Sequence, residues 1–398
     1  MVNKSARSIE ISAARKCAFL ETDEGMAGTA FFTLCLPPPV HGQAMVNASV
    51  LRTAQSLVAS DKIEIADIGP GQQTPGLQYH LTRMNRVARA AFMIAKGRVK
   101  SNKQIYTVFE SGFGIIYNIV IIGLARMFKY NIILHHHTSK HTLSRQRSFA
   151  LLQRIAGPSC LNVVLSQQMA VDMRLMYPNV KKVLVSENAC HIADNDVTIQ
   201  PNTLLHRLRV GFLSNLCAEK GLDLVIDAAI KCRDLGLEIT FVFAGPTVGQ
   251  EAEEILWRGR NRLGDYIEIL GPISGEAKSD FFKSINVFLF PTRYRFEAQP
   301  LVILEAMSYG LPVIVTDCGY IAELVGRHGV VLDSDDCLPD RIVEHLKKIV
   351  ASDYDRSMAI DVKSYFRYLH SRATGQLNQL MNSLFAVESH DLNGPSTS

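Results

Sequence analysis

Twelve short runs dense in Val, Ile, Leu and Phe alternate with longer stretches of helical spacing, and this alternation constrains the fold more than any other feature of the chain. In the first half the runs cover 30–36, 62–68, 104–110, 131–137, 161–166 and 182–186; in the second half they cover 209–214, 238–244, 266–270, 287–290, 313–316 and 330–332. Runs this apolar belong to strands covered on both faces. Between them the helical period shows well at 221–235, where Leu222, Val225, Ile226 and Ala229 share one face and Gly236 stops the helix. Strands alternating with helices give parallel sheets joined by right-handed crossovers. A chain of 398 residues exceeds one ordinary core. The predicted fold is therefore α/β, with two doubly wound Rossmann-like domains.

The polar stretch 193–207 separates the two series. The expected domains are 1–195 and 205–365, followed by C-terminal helices and a disordered tail in 366–398. The net charge of +4 conceals a split: residues 1–190 hold 22 Lys and Arg against 10 Asp and Glu, while the remainder holds 20 against 28. The basic half is expected to meet an anionic partner. No interleaved basic and aromatic motif of a nucleic-acid module is present, so a phosphorylated substrate or an anionic membrane surface is the better reading. The eight cysteines form no C-x-x-C pair and read as reduced thiols of a cytoplasmic protein. The N-terminus lacks a long apolar segment, so no signal peptide is expected. The longest uncharged stretch, 111–125, is shorter than the roughly 20 residues a membrane span needs and reads as a loop and a buried helix.

The most informative segment is PTRYRFEAQPLVILEAMSYGLPVIVTDCG, residues 291–319. Pro300 suits the start of a helix, Gly310 suits its C-terminal cap, and Pro312 forbids continuation. A short helix over 300–309 then turns its free N–H groups toward the carboxyl edge of the sheet, where anions and ligands bind. Glu305 is an anomaly among Val302, Ile303, Leu304, Ala306 and Met307, because a buried carboxylate is costly without a partner. Together with Glu297, eight residues earlier, it can accept hydrogen bonds from sugar hydroxyls. Alternatively Glu305 pairs with a core Arg and Glu297 is merely solvated.

This segment resembles the Glu-x7-Glu signature of glycosyltransferase family 4, retaining enzymes of the GT-B fold, in which two Rossmann-like domains face a cleft. The resemblance implies that Glu305 binds the donor ribose, and that Glu297, with the backbone of Ala298 and Gln299, holds the transferred sugar and the diphosphate. Tyr320 stands where that family often has a second Gly after Gly319. A second segment, VGFLSNLCAEKGLDLVIDAA at 210–229, is similar to the family's diphosphate loop. It places Lys220 at a helix mouth, where a cation and free N–H groups hold a diphosphate. Ser214 and Asn215 replace the Gly and Arg common there. Either Asn215 donates a neutral hydrogen bond instead, or Arg293 or Arg295 compensates.

In the first half, CLPPPVHGQAMVNASVL at 35–51 is similar to the family's first βα loop, with Gly42 allowing close backbone approach and His41 beside it. The run at 132–140 ends in three histidines. Alternation puts His135 and His137 on one face and His136 on the other, with His141 nearby. No acid or Cys lies at ligand spacing, so no metal is expected. The resemblance makes His137 the histidine that touches the donor sugar, and Glu110 a wall of the acceptor cleft. Asp333-Ser334-Asp335 reads as a solvated turn and helix cap rather than a metal-binding D-x-D. Arg83, Arg86, Arg89, Lys96, Arg98, Lys100 and Lys103 alternate with apolar residues, as in a solvated helix face or in a helix that lies on an anionic membrane, and the resemblance favours the membrane.

The resemblance implies a retaining transferase that moves a sugar from a nucleotide-diphosphate sugar to a hydroxyl acceptor, a lipid-linked or polysaccharide precursor of a cell-surface glycan. Glu297 and His137 would be catalytic, and no cofactor or divalent metal would be required. A sugar-nucleotide epimerase of the same fold, or a non-catalytic sugar-nucleotide binding protein, are the alternatives. A nicotinamide dehydrogenase is disfavoured, since no G-x-G-x-x-G follows an early strand.

Overall fold

The computed structural model describes residues 28–39, 41–71, 76–100, 103–195, 207–351 and 356–385. The expected N-terminal character, Cys17, most of the dividing segment and the tail lie outside these residues.

Each of the twelve apolar runs is a strand. In the first domain β1 (Thr29–Leu34), α1 (Gly42–Leu57), β2 (Ile63–Asp67), α2 (Leu77–Lys96), β3 (Lys103–Val108), α3 (Ile115–Met127) and β4 (Asn131–His135) lead to α4 (Lys140–Leu143), α5 (Arg147–Ala156), β5 (Leu161–Val164), α6 (Gln167–Met176) and β6 (Lys182–Val185). The second begins with β7 (Leu208–Leu213), α7 (Leu222–Asp234), β8 (Ile239–Ala244), α8 (Gln250–Leu263), β9 (Ile267–Gly271) and α9 (Gly275–Ser284). It continues with β10 (Val287–Phe290), α10 (Leu301–Ser308), β11 (Val313–Thr316), α11 (Ile321–Val325), β12 (Val330–Leu332), α12 (Leu338–Ala351) and the long α13 (Arg356–Phe385).

Two parallel six-stranded sheets result, in the orders β2-β1-β3-β4-β5-β6 and β12-β11-β10-β7-β8-β9. Their register decides which loops meet. Val108 lies beside His135, so Glu110 and His137, each two residues further, emerge at the same carboxyl edge. Val210 and Gly211 lie beside Val287 and Phe288, so the loops after β7 and β10 leave the second sheet together. Helix α10 ends as its sequence requires. Gly310 adopts φ +71, its N–H donates to Met307 O at 2.9 Å and the Leu311 N–H to Ala306 O at 3.1 Å, which is a Schellman cap.

Helix α13 departs from the expected division between 365 and 366, which falls inside it. The reason is one stripe at helical spacing. Val362, Phe366, Leu369 and Ala373 pack on the second domain with Ile303, Leu304 and Met307. Further along the same helix, Leu377, Leu380, Leu384 and Phe385 pack on Phe32, Leu34, Val50 and Tyr106 of the first. The Gly28 N–H donates to Phe385 O at 3.1 Å, tying the start of β1 to the end of this helix.

The uncharged stretch 111–125 forms a short turn and most of α3, but the helix is not fully covered. Phe113 is 89% exposed, Ile116 56% and Val120 42%. No helix among the described residues is long and apolar enough to cross a membrane.

Candidate active site

The site forms where the loops after β7 and β10 meet. Gly221 begins α7 at φ +85, and a Cβ there would overlap Pro291 O, so only glycine lets the Lys220 turn close on the β10 loop. That closure joins two residues singled out above: the Lys220 ammonium donates to Glu297 Oε1. Burial pushes the Glu297 carboxyl up, and Lys220 and the Thr292 side chain pull it back. The Tyr294 ring lies 4.7 Å from Lys220 Nζ. Burial raises the Tyr294 hydroxyl, Glu297 adds to the shift, and the Thr138 side chain opposes it.

Glu297 is therefore ion-paired rather than merely solvated. Glu305, on α10, has Lys278 of α9 as its partner, with Lys278 Nζ 2.6 Å from Oε1, and not the Arg of the structural alternative. Burial raises its carboxyl and Lys278 opposes the shift.

Ala298 and Gln299 lie between the acids, both buried. Neither backbone N–H donates to any described residue. The Gln299 side chain is committed elsewhere: Oε1 accepts from the Asn188 N–H at 2.7 Å, and Gln299 O accepts from Asn188 Nδ2 at 3.0 Å. Gly42 opens α1 directly across from α10, since a Cβ there would lie 3.7 Å from the Leu301 side chain. Two helix N-termini thus converge on one cleft. His41 caps α1, its Nδ1 accepting from the Ala44 N–H at 3.3 Å. Asn215 is exposed on the loop after β7. Of the cations offered in compensation, Arg293 is held by Asp223 at 2.7 Å, whereas Arg295 is exposed with its guanidinium 5.5 Å from the Phe296 ring.

His137 emerges two residues past β4. Its ring lies tilted against His135 with centroids 4.2 Å apart, while His136 turns the other way toward Asn162 and His141, as strand alternation requires. Burial pulls His136 and His137 down to about 3, so both are neutral at neutral pH. His137 Nε2 is buried and has no hydrogen-bond partner among the described residues. The Ser139 N–H donates to Phe296 O at 3.4 Å, bringing the chain just after His137 against the residue before Glu297. No group of three His, Cys, Asp or Glu among the described residues is arranged to hold a metal. Asp333 and Asp335 both pair with Arg341.

The basic cluster of 83–103 is a surface stripe only in part: Arg89, Lys96 and Arg98 are exposed beside exposed Phe92 and Val99, and the rest are engaged. Arg83 is buried on Glu110, Arg86 pairs with Asp67 at 2.5 Å, Lys100 pairs with Glu64, and Lys103 donates to Arg98 O at 2.5 Å. Sequence spacing hides these pairs because their acids belong to neighbouring strands. Glu110 is therefore held by Arg83 and also accepts from Cys35 Sγ at 3.3 Å. The residues missed by sequence reasoning are Lys278, Thr292, Tyr294 and Asn188. Only the crossover that sets α9 beside α10 would have pointed to Lys278.

Residues 207–352 match the family model for glycosyl transferases group 1. A lipopolysaccharide core biosynthesis mannosyltransferase of Rhizobium meliloti is 31% identical over 135 residues, covering 32% of this chain and 37% of the relative. An O-antigen chain mannosyltransferase of Escherichia coli is 31% identical over 109 residues, covering 27% of this chain and 28% of the relative. The matched segments thus span about a third of these relatives' lengths. Among solved structures, Anabaena HepE in complex with UDP-glucose superposes with a TM-score of 0.64 at 15% identity, covering 89% of this chain and 100% of that one. Sucrose-phosphate synthase from Thermosynechococcus elongatus superposes with a TM-score of 0.67 at 17% identity, covering 90% and 99%. Residues 207–352 are thus similar to glycosyl transferases group 1, within a chain that shares the GT-B fold of these solved structures.

Proposed function

We propose that the chain is a retaining glycosyltransferase that moves a sugar from a nucleotide-diphosphate sugar to a hydroxyl acceptor, a lipid-linked or polysaccharide precursor of a cell-surface glycan. The observation that carries this reading is the Lys220–Glu297 pair, standing where the openings of α7 and α10 meet. An incoming diphosphate takes over Lys220 and the free amides of Ala298 and Gln299, and Arg295 is the cation left to replace the Arg missing at Asn215. Glu305 accepts from the ribose hydroxyls once Lys278 yields. Glu297, released from Lys220, faces the transferred sugar, and neutral His137 donates or accepts one hydrogen bond to it. The acceptor attacks from the face the diphosphate leaves, and the departing phosphate takes its proton. The protein supplies orientation and stabilisation of the leaving charge. These positive groups make a divalent metal unnecessary in this reading.

Membrane contact is assigned to the exposed part of the 83–103 cluster, Arg89, Phe92, Lys96 and Arg98, and to the surface beside it. Phe113, in the turn before α3, and Ile116, Val120 and Met127 on α3 are exposed, and Arg147, Leu151 and Arg154 form a stripe on α5, which packs beside α3. Apolar and basic stripes side by side suit the inner, anionic face of a cell membrane, with the protein otherwise in the cytoplasm.

The deciding experiment is product analysis with labelled nucleotide sugars in excess chelator. Transfer to an acceptor supports the reading, isomerisation would make the chain an epimerase, and binding without turnover would make it a binding protein. Loss of transfer in chelator with rescue by magnesium or manganese would overturn the metal-free mechanism.

A further inference from the structure

Tyr320 belongs to the second domain by chain position and to the first by packing. It sits between β11 and α11, is 4% exposed, and its ring lies in the first domain's apolar cluster with Phe109, Phe149, Met169 and Tyr177. Its hydroxyl donates to Asp172 Oδ2 on α6 at 2.8 Å and lies 2.9 Å from Thr142 Oγ1 on α4. Its backbone faces the other way: the Tyr320 N–H donates to Glu297 O at 3.2 Å. The preceding Gly319 is at φ +61 with no room for a Cβ beside that carbonyl. One residue therefore grips the Glu297 backbone with its amide and the opposite domain with its side chain. The segment it grips, α4, begins three residues after His137. A parallel link runs from Glu323 Oε1 to the Gln168 N–H at 3.2 Å, one turn away on α11.

We propose that Tyr320 is a positioning residue that holds Glu297 and His137 at their working separation by latching the two domains closed across the cleft. The inference rests on the transferase reading for what the latch positions, but not for the latch itself. The second domain alone supplies Lys220, Glu297, Glu305 and Lys278. Breaking the latch therefore leaves nucleotide binding intact and removes only the alignment of the two halves.

The test uses the full chain. Tyr320→Phe keeps the buried ring and deletes the hydroxyl, and Asp172→Asn keeps the shape and removes the charge that the hydroxyl meets. A hydrogen bond to a charged group corresponds to roughly a tenfold to hundredfold change in an equilibrium constant. Amide exchange across 139–143 and 168–172 is expected to accelerate by that factor in either variant. The double variant should add little to either single one, because both break the same bond. In turnover, kcat is expected to fall while affinity for UDP and GDP, used as probes, stays at the parent value. Unchanged exchange in both single variants, or full additivity in the double, overturns the latch. A lowered melting temperature with parental kcat reduces it to a structural contact and overturns the positioning role. If the parent transfers no sugar to any acceptor, the transferase reading fails, and the exchange measurement still decides the latch.

Discussion

Glu297 and Glu305 lie eight residues apart and each holds a lysine, but one lysine comes from the turn before α7 and the other from α9. The acids are accordingly expected to separate in function. A ribose contact is equal in ground and transition states, so Glu305→Gln should raise donor KM and weaken nucleoside-diphosphate binding by about tenfold to hundredfold. Glu297→Gln should bind nucleotide nearly as the parent does and lose a similar factor in kcat. Steady-state kinetics beside direct nucleotide titration check both, and two parental variants would leave the acids as structural ion pairs. Lys220 makes a second test. It pulls the Glu297 carboxyl down against a burial that pushes it up, so Lys220→Met should raise that pKa further. Less Glu297 is then ionised at any given acidic pH, and the acid limb of the kcat profile should move to higher pH. An unmoved limb would detach Glu297 from the chemistry.

At the scale of elements, α10 carries the site because both of its ends are fixed. Its C-terminus depends on Gly310 at φ +71, a conformation that costs an L-residue about 1–2 kcal/mol. Gly310→Ala is therefore expected to lower the urea midpoint by about that free energy, and to weaken nucleotide binding if the helix opening shifts with its end. A midpoint equal to the parent's would show that the cap is relaxed. The edge of β4 makes a different kind of prediction. His135, His136, His137, His141 and His191 are all pulled below the ordinary histidine range by burial, His191 to about 4. In the unfolded chain they titrate near 6.5, so below that pH the unfolded state binds more protons than the folded one. Their contribution is fully present above about pH 6.5 and is lost as pH falls toward 4. The melting temperature should drop steeply over that window, and His141→Phe, in its nest of Phe109 and Phe149, should flatten the slope. An unaltered slope would place the acid sensitivity elsewhere.

For the whole molecule, the connection that matters most is α13. Its stripe covers α10 in one domain and β1 and β3 in the other, so removing 356–398 would expose Phe32, Leu34 and Tyr106 and uncover α10 at once. Such a truncation is expected to aggregate rather than to yield two independent domains, as light scattering during expression would show. Soluble, monomeric truncated protein would contradict this. A lighter perturbation is Arg372→Ala, which strands the buried Glu187 carboxylate. Because Arg372 is itself 40% exposed, solvent softens the loss to about 1–3 kcal/mol, measurable as a lower melting temperature.

The alternation of apolar runs determined the twelve strands and their parallel pairing, because strand burial on both faces and the helical period are local, repeating signals. Gly221, Gly236 and Gly310 marked helix boundaries, since backbone conformation at φ > 0 is a property of the residue itself. Glu305 stood out as a charge on an apolar helix face, and Glu297 and Lys220 by their spacing and their likeness to family motifs at helix mouths. What only the tertiary structure decided was pairing. Lys278 for Glu305, Arg83 for Glu110, Arg86 for Asp67 and Asp172 for Tyr320 are 27, 27, 19 and 148 residues apart in the chain. Charge attraction acts through space, and sequence spacing encodes space only within a few residues along a helix or strand. Arg83, Arg86 and Lys100 drop out of the basic stripe of 83–103 for that reason, since their partners arrive from β2 and the loop after β3. Tyr320 was legible only as a departure from a family pattern. Its role needed the second domain in place, because the groups it bonds do not exist as neighbours until the two sheets meet.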